Sequence, residues 1–83
     1  MLGQTLILVQ CADAVGLVAT IANIVASYKL NIVTMREFVD EPNHKFFVRV
    51  VCTGTVADSA ALQQSLELAL PPHAEIQINP AKQ

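Results

Sequence analysis

Thr5-Leu6-Ile7-Leu8-Val9-Gln10-Cys11, followed by Ala12-Asp13-Ala14-Val15-Gly16, places a short, partly β-branched apolar run ahead of a break. A run this short, apolar at consecutive positions, predicts a strand buried on both faces. Beyond the break, Leu17, Ile21, Ile24, Val25 and Tyr28 recur at helical spacing, with Thr20, Asn23 and Ser27 on the opposite side. That pattern is an amphipathic helix. Asp13 or its neighbour is placed to cap its start. Lys29 falls in its last turn, where a cation suits the helix dipole. Asn31 tolerates the left-handed conformation that commonly ends a helix.

Working outward, Ile32 to Asp40 reads as a second strand, Glu41-Pro42-Asn43-His44 as a turn, and Lys45 to Thr53 as a third strand. The second and third strands form a hairpin. Asp58 or Ser59 caps a second helix in which Leu62, Leu66 and Leu70 share a face, and Pro71-Pro72 stops it. Ala74 to Asn79 alternates, with Ile76 and Ile78 on one side, as a half-buried edge strand does. Pro80 closes that strand, and Ala81-Lys82-Gln83 reads as a tail or the start of a linker. The order β-α-β-β-α-β predicts an α+β, ferredoxin-like sandwich. In it the first and third strands lie in the middle of a four-stranded antiparallel sheet, with two helices on one face. Two helices cover only one face, and the central strands are apolar at alternate positions on both. The other face therefore calls for a second copy, a neighbouring domain, or both. The two halves share no convincing sequence repeat, and no segment is of low complexity.

The 83 residues make one domain, 53% hydrophobic and only 14% charged. A chain this short buries only about 60–65% of its unfolded surface, so such apolar content also points to covered surface. A formal charge of −2 supplies no basic field for nucleic acid or anionic lipid. The most apolar long stretch, Ala14 to Tyr28, contains Thr20, Asn23 and Ser27 and falls short of the ~20 residues of a membrane span. Without a basic start or a signal-like apolar run, cytoplasmic residence is expected. Cys11 and Cys52 fall near opposite ends of antiparallel strands, too far apart for a disulfide, and are expected to be buried and reduced. No metal-ligand spacing and no nucleophile–base pair is present, so neither a metal, a cofactor nor catalysis is assigned to the chain itself.

The segment with most chemical content is Cys11-Ala12-Asp13-Ala14-Val15-Gly16-Leu17-Val18. A strand end passing through a polar loop into a helix start offers backbone N–H groups to a carboxylate. Asp13 can accept from an ammonium group, and Gly16 lets a ligand approach closely. These parts together suit both charged ends of an amino acid. In the other reading, Asp13 only caps the helix and Gly16 only relieves crowding. Arg49 shares a face with Phe47 and Val51 and calls for a carboxylate, with Glu37 on the neighbouring strand as candidate. His44 and His73 lie in turns and read as solvated.

Asp13-Ala14-Val15-Gly16-Leu17-Val18, Leu30-Asn31-Ile32-Val33, Glu37-Phe38-Val39-Asp40 and Phe46-Phe47-Val48-Arg49 together resemble the N-terminal ACT domain of formyltetrahydrofolate deformylases. Ala69-Leu70-Pro71 and Ile78-Asn79-Pro80-Ala81 resemble its end, so the likeness runs from about Leu6 to Ala81. Ala12 and Ala14-Val15 stand where that family has a proline and polar residues, which makes this loop more apolar. The resemblance implies a single ACT domain over residues 1–83, with 79–83 starting a linker to a formyltransferase-like catalytic domain. That parent enzyme hydrolyses 10-formyltetrahydrofolate to formate and tetrahydrofolate for purine synthesis, and glycine and methionine are the effectors associated with it. It further implies homodimers or higher oligomers through the first helix or the sheet. Paired first helices would bring Asp13, Gly16 and Leu17 of one chain to Asn31 and Ile32 of its mate. Asn31 also reads as a plain helix end.

Competing classes fare worse. An RNA-recognition module shares the element order, but adjacent Phe46 and Phe47 point to opposite faces and the charge is acidic. A metal carrier of this topology needs a second cysteine beside Cys11. A free-standing amino-acid-sensing regulator that acts on a separate protein remains the alternative. A reading frame that continues past Gln83 into a hydrolase would decide between the two.

Overall fold

A computed structural model describes residues 3–54 and 56–81. Its elements run β1 (Gln4–Ala12), α1 (Leu17–Ser27), β2 (Asn31–Asp40), β3 (Lys45–Thr53), α2 (Ser59–Ala69) and β4 (Glu75–Ala81). The strands form one antiparallel sheet in the order β2-β3-β1-β4, so β1 and β3 are central as the connection rules require. This is the ferredoxin-like sandwich that the element order predicts.

The core lies between the helices and one face of the sheet. Ile7, Val9 and Cys11 of β1 and Phe46, Val48, Val50 and Cys52 of β3 meet Ile21 and Val25 of α1 and Leu62 and Leu66 of α2. The alternate positions Leu6 and Leu8 are only half-buried, which corrects the reading of β1 as buried on both faces. Where α1 and α2 adjoin, Tyr28 and Ser65 share a hydroxyl hydrogen bond of 2.7 Å, so the tyrosine keeps a polar partner.

Strand β2 contains a bulge between Ile32 and Thr34. Ile32 and Met35 are three residues apart and would face opposite ways in a regular strand. The extra residue, Val33, lets both pack against the core and leaves Val33 itself exposed. At the other end, β4 runs on through Pro80 to Ala81, paired with Thr5 and Gln4. Pro80 therefore does not close the strand: on an edge strand its missing N–H need cost no ladder bond. The expected linker start at 79–83 thus begins inside β4, and Lys82 and Gln83 lie outside the described residues.

Both cysteines are free and buried, at opposite ends of the central strands: Cys11 pairs with Phe46, and Cys52 with Thr5. Burial pushes both thiols up from the ordinary 9.0, and the Asp13 carboxylate pushes Cys11 further. No helix among the described residues is long and apolar enough to cross a membrane.

Candidate functional site

The loop between β1 and α1 is pinned from below. The Asp13 amide donates to the His44 carbonyl at 2.8 Å, tying the loop to the β2–β3 turn. Gly16 follows at φ 84°, a left-handed backbone that an L side chain rarely adopts, and its carbonyl accepts the first helical bond, from the Thr20 amide at 3.0 Å. The N-cap of α1 is therefore Gly16, and no side chain bonds to the free amides of the helix start. This corrects the reading of Asp13 as the cap. The carboxylate of Asp13 stands in an exposed loop, and the amides of Leu17, Val18 and Ala19 have no acceptor within the helix.

Those amides border a groove of about 220 Å³ between the start of α1 and the outer edge of β2. Asp13, Gly16 and Leu17, three of the residues expected at the site, line it together. Glu37 and Val39 close it from β2, over the ring of Phe46. The site therefore sets uncapped N–H groups with partial positive charge beside two carboxylates. An amino acid presents a carboxylate for the first and an ammonium for the second.

Asn31 and Ile32 are not part of this groove. They begin β2 beside Thr53 and Cys52, the whole strand length, ~30 Å, from the β1–α1 loop. Asn31 does not end α1 either: Tyr28 is the C-cap and Lys29 takes the left-handed position at φ 63°, past the helix rather than in its last turn.

Glu37 is the groove residue that the sequence reading misassigned. It pairs with Val48, whose side chain points into the core, and so lies on the helix side of the sheet. Arg49 lies on the open side, opposite Arg36, so the expected Glu37–Arg49 ion pair is excluded by register. The signal was available: a four-residue turn sets Asp40 against Lys45, and counting back from that pair puts Arg36, not Glu37, against Arg49. His44 and His73 are exposed turn residues with left-handed backbones, at φ 55° and 68°. No group of three metal-ligating side chains occurs among the described residues.

Three comparisons bear on these features. Residues 5–67 match the family model of the ACT domain. Over 71 residues, 86% of its length, the chain is 37% identical to the formyltetrahydrofolate deformylase of Haemophilus influenzae, and spans about a quarter (25%) of that relative. Its fold matches the crystal structure of a formyltetrahydrofolate deformylase from Pseudomonas syringae pv. tomato with a TM-score of 0.81 at 19% identity, covering 100% of this chain and 29% of that one. It also matches an ACT domain protein from Streptococcus pneumoniae with a TM-score of 0.72 at 23% identity, covering 94% of this chain and 89% of that one.

Proposed function

Because this chain belongs to the ACT domain family, we propose that it is a regulatory domain that binds a free amino acid and governs a formyltetrahydrofolate deformylase in the cytoplasm. The catalytic work, hydrolysis of 10-formyltetrahydrofolate to formate and tetrahydrofolate, belongs in this reading to a formyltransferase-like domain outside the 83 residues. The observation that carries the proposal is the groove at the start of α1, where uncapped amides lie beside Asp13 and Glu37. The stretch of likeness to the Haemophilus influenzae enzyme supports the choice of parent activity.

In our reading the site is completed by a second chain. Asn31 and Ile32 stand at the far end of β2, and an antiparallel pairing of α1 with its mate about a two-fold axis would bring them to the groove of the partner. The make-up of α1 supports such a pairing. From Leu17 to Ser27 it has no charged residue, and Val18, Ala19, Asn23 and Ala26 are exposed along it. Small, neutral side chains let two helices approach closely without burying charge.

Glycine and methionine are the first effectors to test, by calorimetry on the 83-residue chain. Asp13→Asn and Asn31→Ala are each expected to weaken binding about tenfold, the loss of one charge-assisted or buried hydrogen bond. Sedimentation is expected to find a dimer. If both variants bind as the parent does, the site assignment is wrong; if neither amino acid binds, the sensing role is wrong. A free-standing regulator acting on a separate protein is the second reading, favoured by the Streptococcus pneumoniae protein, which this chain nearly spans.

A further inference from the structure

The face of the sheet away from the helices carries a second feature, which shares only Glu37 with the lining of the amino-acid groove. Arg36 of β2 and Arg49 of β3 are directly paired across the ladder, and both are exposed. Directly opposed residues hold their Cβ atoms about 5 Å apart, and like charges so placed oppose folding. Among the described residues neither arginine has a carboxylate within the 4.0 Å of an ion pair. Beside them Phe38 and Phe47, the next pair along the same face, pack as tilted rings with centroids 6.0 Å apart and planes at 38°, and Phe38 is 64% exposed. With Leu8 of β1, these side chains line an open groove of about 250 Å³. Two unneutralised guanidinium groups thus flank an aromatic floor that water wets.

We propose that this face docks an acidic protein segment, whose carboxylates meet Arg36 and Arg49 and whose apolar side chains cover Phe38, Phe47 and Leu8. The inference goes beyond the effector site and stands without it. Charge decides the occupant. A second copy stacked about a two-fold axis at the arginine pair would bring four guanidinium groups together, so self-association here would compound the repulsion. A nucleic-acid strand meets the rings and the arginines, but also Glu75, which β4 sets on the same face beside Gln10, on a chain of net charge −2. A protein segment can place a few carboxylates at the arginines and none near Glu75. Arginine suits this task because its planar fork binds a carboxylate through two parallel bonds while its flat face packs on aromatic rings.

The test uses the 83-residue chain and two synthetic probes: a capped heptapeptide of alternating glutamate and leucine, and its lysine–leucine counterpart. A single-stranded oligothymidylate serves as a third arm. Amide NMR is expected to show the glutamate peptide shifting Leu8, Arg36, Phe38, Phe47 and Arg49, with affinity falling as salt rises, while the lysine peptide leaves them unmoved. Arg36→Gln and Arg49→Gln are each expected to weaken the glutamate peptide about threefold, as for exposed charge pairs. They are also expected to raise the thermal midpoint of the free chain, because each relieves the cross-strand repulsion. That rise shows that the variants are folded. The proposal falls if the two peptides bind alike or neither binds, if the shifts map to α1, or if the arginine variants leave affinity unchanged. It falls equally if the oligonucleotide binds this face more tightly than the glutamate peptide, or if a second copy occupies it in solution.

Discussion

Helix α2 begins under a side-chain cap, Asp58 Oδ1 accepting from the Ala61 amide at 3.1 Å, whereas α1 begins at left-handed Gly16 with no side chain over its amides. The contrast continues along their surfaces. Helix α2 turns Gln63 and Glu67 outward, joined by a 3.3 Å hydrogen bond, while α1 has no charged residue and leaves Val18 and a row of small side chains exposed. Both bury equally inert cores, Ile21 and Val25 from α1, Leu62 and Leu66 from α2. The two differ only where they meet solvent. Helix α2 starts under a side-chain cap and carries charge on its surface, although Leu68 also stands exposed there, whereas α1 is left with unsatisfied donors at its end and no charge along it. A helix that starts at glycine gives up only roughly a few tenths of a kcal/mol against a side-chain cap, and keeps its amides available to something else.

Substitutions in the two connections separate these roles. The largest effects belong to the glycines. Gly54→Ala meets both a left-handed backbone at φ 107° and the Leu30 Cδ2 atom 3.2 Å from the new Cβ. Gly16→Ala meets the backbone term alone, since nothing lies within 4 Å of its Cβ. Urea unfolding is expected to show a loss of about 1–2 kcal/mol for Gly16→Ala and more for Gly54→Ala. Equal losses would mean that the packing of Leu30 yields. Next comes Asp58→Ala, expected to cost about 1 kcal/mol as the α2 cap is lost. Asp13→Ala caps nothing and is expected to stay within about 0.5 kcal/mol of the parent. Should Asp13→Ala prove as costly as Asp58→Ala, the carboxylate of Asp13 serves the α1 start after all, and the contrast between the helices disappears.

Much of this was legible from residue pattern. The bounds of β3, the Asp58 cap and the Leu62–Leu66–Leu70 face follow from β-branching, capping chemistry and helical period, and the structure places them as expected. The misreadings cluster where backbone conformation or register decides. Asp13 has the right side chain for a cap, but the left-handed turn at Gly16 moves the helix start beyond its reach. Asn31 is a good helix terminator by type, but Lys29 had already turned the chain, and Asn31 entered the sheet. The bulge at Val33 reverses the facing of everything before it in β2, and no residue there announces it. The open face was expected to be apolar except for Arg49, which was read as paired with Glu37. Arg49 stands out in the sequence, but that its cross-strand partner is Arg36 appears only once hairpin register is counted.

Each of the two connections also follows a strand whose penultimate residue is a buried cysteine, Cys11 before α1 and Cys52 before α2, and the smallest expected effect separates these. Burial raises both thiols above the ordinary 9.0, and Cys11 alone also feels the Asp13 carboxylate. A thiol that ionises later in the folded chain than in the unfolded one favours folding only while the unfolded chain also keeps its proton. Stability is therefore expected to be flat with respect to these groups at neutral pH, and to fall as pH rises through 9.0, where the unfolded thiols ionise first. Urea midpoints taken across that interval measure the fall. Cys52→Ser would confound it by burying a hydroxyl, so Cys11→Ala and Cys52→Ala are the informative variants, each removing its own part of the slope. In the Asp13→Asn background the contribution of Cys11 should shrink while that of Cys52 stays fixed. An unchanged Cys11 contribution there would mean that the Asp13 carboxylate is directed away from the strand end, and with it away from the groove at the start of α1.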